Sequence, residues 1–313
     1  MKYVYAGHEG FHEAVSPRLA QAGAKRVDHV AEADTVLTFC TSQTALEDAY
    51  FDEDGFVQAA RPETVLIDLS ASTPGFAREL NAVAVVSDLA FVEAPLLVDD
   101  ITLPQAFSQR DNLRCFVAGQ NDDIARAEKF LSALVRDVHK TGGSGSAQLA
   151  RAAYSLQTAA QVVAAIEADA LYRAAWESIV EPGSSMERVG ATCTQADCVL
   201  AAINAGSFDG AFTVEMFMAE LSAALTAADD ADLILPQAEA AMHLLELLAV
   251  VGGSDKAPSA LSLVYGDEKL CAENGLDWTR AEHAFASEED GCGCGEDCGC
   301  DHMDYRGFDY SAN

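Results

Sequence analysis

From Ser146 to Val180 the chain reads SAQLARAAYSLQTAAQVVAAIEADALYRAAWESIV, more than thirty residues without a glycine or a proline and rich in alanine, leucine and glutamine. Such a run predicts one long α-helix. Its many small side chains let other helices approach closely, so it predicts the spine of a helical half. Further helical patterns cover Ser185–Ala205, Thr213–Asp232, Pro236–Val250 and Pro258–Asn274, and the second half is expected to be all-α. Upstream the pattern reverses. Short β-branched runs at Lys2–Tyr5, Thr35–Cys40, Thr64–Asp68, Ala84–Val86, Ala90–Glu93 and Leu113–Ala118 alternate with helix-like stretches at His12–Ala22, Thr44–Tyr50, Pro74–Leu80 and Asp122–Leu134. That alternation predicts a doubly wound parallel sheet with crossover helices. The expected division is an α/β Rossmann-like domain over 1–141, an all-α domain over 142–287 entered through GGSGS (142–146), and a Cys-rich acidic tail over 288–313.

The 313 residues include 50 Asp plus Glu against 19 Lys plus Arg, a formal charge of -31. A field of that sign repels phosphate backbones and anionic lipid heads, which argues against nucleic-acid and membrane-surface partners. The most apolar stretch, Leu233–Val251, carries Glu239, His243 and Glu246, so no helix of the roughly 20 apolar residues needed to span a bilayer is expected. The start, MKYVYAGHEG, has one lysine and then Gly, His and Glu in place of an apolar signal core, and the expected location is cytoplasmic.

Nine cysteines in that compartment read as thiols or metal ligands before disulfides. Cys40, Cys115, Cys193, Cys198 and Cys271 are spread through the body, and Cys193 and Cys198, five apart, read as core residues. Cys292, Cys294, Cys298 and Cys300 crowd the tail with His302 in the spacing C-x-C-x3-C-x-C-x-H. Thiolates with an imidazole, on glycines that let a short loop wrap one ion, suit Zn²⁺, Cu(I) or an Fe–S cluster. The other reading is a flexible acidic tail whose thiols do nothing specific. His139 and His243 read as packed or surface histidines.

The first predicted strand runs into a turn where Gly7 and Gly10 open a helix. In a dinucleotide fold such glycines let the backbone reach a pyrophosphate at the positive end of the helix. Here Tyr5 holds the first position of G-x-G-x-x-G, so a tight turn without a ligand is an equal alternative. The segment AKRVDHVAEAD (24–34) is too short for a second strand, crossover helix and return. Either AKRVD is a stub strand that offers Asp28 to a ribose, or the unit is lost; loss is the expectation.

The segments Gly7/Gly10, ADTVLTFCTSQTALEDAYF (33–51), VLIDLSASTPGFARELN (65–81), FVEAP (91–95), GGSGSAQLARAAYS (142–155) and GAFTVEMFMAELSAAL (210–225) follow one another in a recognisable order. Over about residues 1–285 the chain resembles the β-hydroxyacid dehydrogenases, the 3-hydroxyisobutyrate and 6-phosphogluconate dehydrogenase superfamily. The resemblance implies a Rossmann-like domain joined by a long helix to an all-α domain, a homodimer, NAD or NADP in the cleft with contacts at Gly7, Gly10, Cys40, Thr41 and Ser70, and a small organic acid or nucleotide ligand.

Carried over residue by residue, the resemblance implies losses. The substrate Ser-Gly-Gly turn becomes Leu97, Val98 and Asp99, placing bulk and a negative charge where an anionic substrate would sit. The catalytic Lys falls at Arg151, the Asn one turn later at Tyr154, and a later Lys-Asp pair at Ala219 and Glu220. An arginine stays charged and is a poor proton shuttle. Tyr154, three residues on and on the same helix face, is the candidate proton donor beside Arg151; the plainer reading is an interfacial pair that packs the two domains. Two functions stay open. One is a non-catalytic binding or assembly role with a metal-binding tail. The other is a working NAD(P)-dependent oxidoreductase acting on CH–OH or C=N groups through Arg151 and Tyr154.

Overall fold

A computed structural model describes residues 1–179 and 194–281. In chain order the first half runs β1 (Lys2–Gly7), α1 (Glu9–Gln21), β2 (Lys25–Arg26), β3 (Thr35–Phe39), α2 (Gln43–Phe51), the single turn α3 (Phe56–Ala59), β4 (Val65–Asp68), α4 (Pro74–Val86), β5 (Ala90–Glu93), β6 (Leu96–Val98), β7 (Leu113–Gly119), α5 (Asn121–Leu134) and β8 (Asp137–Gly142). The eight strands form one mixed sheet in the order β2-β1-β3-β4-β5-β7-β6, with β8 also paired to β7. From β2 to β5 all pairings are parallel, whereas β7 runs antiparallel to β5 and β6.

Side chains alternate across this sheet. Val65 and Ile67 face one cluster with Phe11, Leu19 and Phe130 from α1 and α5, while Leu66 faces the other with Leu46, Tyr50, Phe76 and Leu80 from α2 and α4. Both faces are thus covered, the condition for a largely parallel sheet.

Several expectations change, beginning with the parallel sheet, which is mixed because β7 runs against β5 and β6. The segment after Gly23 keeps a strand, but only as the two-residue stub β2, and a 3₁₀ turn at Val30–Glu32 is all that returns the chain to β3. The expected strand at Ala84–Val86 is the last turn of α4, which Thr73 caps and Pro74 starts. Its valines sit at the helix surface, Val86 86% exposed, so β-branching there reflects no sheet. Strands β6 and β8 were absent from the sequence pattern; β8 is exposed along most of its length and shows no alternation of burial.

The long run is α6 (Ser146–Ile179), 34 residues in one helix. Buried Ala147, Ala152 and Ala159 let it lie close against α7 (Thr194–Ala205), α8 (Val214–Asp229), α9 (Pro236–Leu248) and strand β7. A π turn at Ala249–Gly253, a 3₁₀ segment at Pro258–Tyr265 and α10 (Glu268–Glu273) follow, so the pattern at Pro258–Asn274 is a 3₁₀ helix and a short α-helix. The expected helix over Ser185–Ala205 is described from Thr194 onward; its start lies outside the described residues. Among the described residues, no helix is long and apolar enough to cross a membrane.

Candidate functional site

The parallel strands β1, β3, β4 and β5 end on the same side of the sheet, which sets Gly7, Cys40, Thr41, Ser70 and Glu93 along their C-terminal ends, with Ser70 and Glu93 bonded to the start of α6. At the first turn Gly7 has φ +125, and a Cβ there would lie 2.0 Å from the Phe39 carbonyl oxygen, so only glycine fits. His8 caps α1, its Nδ1 accepting the Phe11 N–H at 3.1 Å. A Cβ on Gly10 would come 2.9 Å from that imidazole, so Gly10 makes room for a side chain of the chain itself. The Tyr5 hydroxyl donates to the His8 carbonyl at 2.7 Å. Glu9 pairs with Arg26 at 2.9 Å, and Arg26 donates to His12 Nδ1 at 3.1 Å. The pair draws the end of the stub β2 onto the first turn of α1. Asp28 lies two residues past β2 and is exposed.

Ser70 Oγ accepts the Cys40 N–H at 2.9 Å. Burial pushes the Cys40 thiol up to about 12, so it has no nucleophilic thiolate at neutral pH. Asp68 Oδ1 accepts from Thr38 Oγ1 at 2.9 Å and from the Ser70 N–H at 3.0 Å. Thr38 has one hydroxyl proton and gives it to Asp68, so the Tyr50 hydroxyl at 2.9 Å donates to Thr38. Gln148, on the first turn of α6, accepts the Ser72 N–H and donates to the Ser70 carbonyl, both at 3.0 Å. Glu93 accepts the N–H groups of Gly145 and of Gln148, the latter at 3.2 Å. Thr41 lines a cleft of about 590 Å³ between the halves, shared with Thr73, Phe76, Met218 and Met242. Its lining also includes Glu47, Glu79, Glu215 and Glu246 and, among the described residues, no lysine or arginine.

Arg151 is buried, 3% exposed, and forms an ion pair with Glu220 of α8. Arg151 Nη1 also donates to Ser155 Oγ at 2.8 Å. Its guanidinium carbon stands 5.5 Å from the centroid of the Tyr154 ring. Gln195 of α7 reaches the Tyr154 hydroxyl at 3.4 Å and donates to the Val98 carbonyl at 2.9 Å. These side chains, with Val98, Ile101, Phe212 and Phe217, enclose only about 10 Å³, room for about one water. Asp99 takes no part in this lining. Contrary to the expectation of a negative charge at the substrate position, its carboxylate is tied to Arg114 at 2.6 Å and Arg136 at 3.1 Å, while Leu96–Val98 pairs with β7 as strand β6.

The structure thus brings Arg151 and Tyr154 together, and separately gathers Gly7, Gly10, Cys40, Thr41 and Ser70 along the sheet edge. Reading the sequence missed Glu93, Gln148 and Gln195; an acid inside the apolar run AFVEAP was the available signal for the first. Cys193, Cys292, Cys294, Cys298, Cys300 and His302 lie outside the described residues. Among the described residues no group of three His, Cys, Asp or Glu is placed to hold a metal. His139 and His243 are exposed, the latter 3.1 Å from Glu246.

Residues 4–143 match the NAD binding domain of 6-phosphogluconate dehydrogenase. The chain is 24% identical to the uncharacterized oxidoreductase YkwC of Bacillus subtilis (strain 168) over 74% of its own length and 78% of that protein. It is 26% identical to a probable mitochondrial 3-hydroxyisobutyrate dehydrogenase of Dictyostelium discoideum over 48% of its length, spanning 47% of that protein. Among solved structures, a 3-hydroxyisobutyrate dehydrogenase of Mycobacterium tuberculosis with L-serine superposes with a TM-score of 0.66 at 20% identity, over 85% of this chain and 99% of that one.

Two features of the site oppose the negative charge of the dinucleotide such a domain implies. A pyrophosphate carries negative charge to the first turn of α1, where Glu9 already stands and holds the nearby Arg26. The cleft beside Thr41 presents an anion with four glutamates and, among the described residues, no cation.

Proposed function

The chain is a distant member of the β-hydroxyacid dehydrogenase and 6-phosphogluconate dehydrogenase superfamily, and on that premise we propose that it keeps the scaffold without hydride transfer and serves a binding or assembly role. The observation that carries this reading is the buried Arg151–Glu220 pair. It puts a permanently charged guanidinium, held by Glu220 and Ser155, where a proton-exchanging lysine is expected, and leaves about 10 Å³ beside it, far below the 300 Å³ or so of a small-molecule site. The Glu9 carboxylate at the first turn of α1, paired with Arg26, supports the same reading from the cofactor side, because it sets negative charge where a pyrophosphate would come. Titration of the full chain with NADH and with NADPH, followed by calorimetry and nucleotide fluorescence, is expected to show no saturable binding below about 1 mM. Saturation at micromolar nucleotide would overturn the reading and restore the alternative, an oxidoreductase using Arg151 and Tyr154.

The tail belongs to the same proposal as a metal-binding segment, on its sequence alone: four thiols and one imidazole within eleven residues. Metal analysis after loading with Zn²⁺ is expected to give about one ion per chain, and none after residues 288–313 are removed. Equal metal in both forms would remove the tail from the proposal. The body is proposed to be a cytoplasmic homodimer, as the superfamily scaffold implies; sedimentation at twice the chain mass is the expected result.

A further inference from the structure

Asp68 ends β4 and Glu93 ends β5, and the parallel register sets the two side by side. Neighbouring backbones in a sheet are about 4.8 Å apart and paired residues project to the same face. Both side chains are buried, at 1% and 0% exposed, and among the described residues neither carboxylate has a salt-bridge partner. Around Asp68 stand Thr38 and Cys40 from the end of β3, Tyr50 from α2 and Ser70 from the chain after β4. Around Glu93 stand Asp68, Arg78 from α4, and the N–H groups of Gly145 and Gln148 where α6 begins. Arg78 is the one cation facing the pair among the described residues. Glu93 is also the acceptor that ties the first turn of α6 to the sheet, and Gly145, with φ +88 and the Pro74 carbonyl 3.0 Å from where its Cβ would be, can only present its N–H there.

We propose that Asp68 and Glu93 form a coupled acid pair sharing one proton near neutral pH, and that loss of that proton loosens the start of α6 from the sheet. Two buried carboxylates on adjacent strands cannot both ionise at low cost. Burial pushes Glu93 up to about 7, more than its two N–H bonds pull it down, and pushes Asp68 up to about 6. The sign follows from linkage. An opened junction in which Glu93 meets water returns it to the ordinary carboxylate range, so between that range and about 7 opening releases a proton. The closed junction is favoured at acid pH and weakens as pH rises through neutrality.

A ¹³C carboxyl NMR titration of the full chain is expected to show Asp68 and Glu93 responding together, with one step above pH 6. Amide exchange at Gly145 and Gln148, corrected for its intrinsic rate, is expected to rise by up to about two orders of magnitude between pH 5 and 8. E93Q should flatten that dependence, and D68N should move the Glu93 step to lower pH. Two independent steps below pH 5 would overturn the proposal, as would exchange that ignores pH in the wild type or keeps its pH dependence in E93Q. An unmoved Glu93 step in D68N would overturn the coupling. The wild-type titration and D68N decide the matter without relying on E93Q to fold.

Discussion

Glu220→Ala is expected to cost about 3–5 kcal/mol of stability, because it strands the Arg151 guanidinium in the interior with Ser155 as its remaining side-chain acceptor. Burial alone raises the Glu220 carboxyl and Arg151 pulls it back, so each partner is tolerable there because of the other. Against a typical total of about 5–15 kcal/mol the single change removes a large fraction. The double variant R151L/E220L removes both charges and fills similar space, so its stability should lie within about 1 kcal/mol of the wild type or above it. Urea unfolding followed by circular dichroism reads both. If E220A costs less than about 1 kcal/mol, the pair is hydrated and the closed centre on which the non-catalytic reading rests is open.

Gly7→Ala is expected to cost about 3 kcal/mol or more. A non-glycine residue at φ +125 is strained in itself, and its methyl would meet the Phe39 carbonyl of the neighbouring strand, a backbone atom that cannot swing aside. Gly10→Ala is the control. Gly10 lies within α1, gains about 1 kcal/mol in helix propensity, and displaces the His8 ring at a cost of about 1 kcal/mol in lost capping, so thermal unfolding should place it near the wild type. Equal losses in the two variants would mean that the His8 ring cannot move aside and that Gly10 is fixed by packing as tightly as Gly7.

How far the sequence revealed this molecule depended on how local each feature is. The helix α6 was legible because the absence of glycine and proline over 34 residues is a local property, and the strands β1, β3, β4 and β5 were legible because each carries its own apolar run. Strand β8 was not, since DVHKTG is exposed on both sides and owes its form to the β7 backbone alone. The valines at the end of α4 misled because β-branching was read as a sheet signal at a helix terminus where nothing packs on them. At the site, Arg151 and Tyr154 were legible as neighbours one turn apart, but Glu220 lies on another helix, and no spacing rule connects it to Arg151. The Asp68–Glu93 adjacency likewise depends on the register of β4 on β5, which sequence periodicity does not set.

At 34 residues α6 is an arm roughly 50 Å long, and its near end is fixed both by packing on β7, β8 and α4 and by the hydrogen bonds that join Glu93, Ser70 and Ser72 to its first turn. A tilt of about 5° at that end carries the far end about 4 Å. Because α7, α8 and α9 pack along it, any such tilt would carry the helical half as one body, so a change at the ends of the strands would be felt across that half as leverage instead of contact.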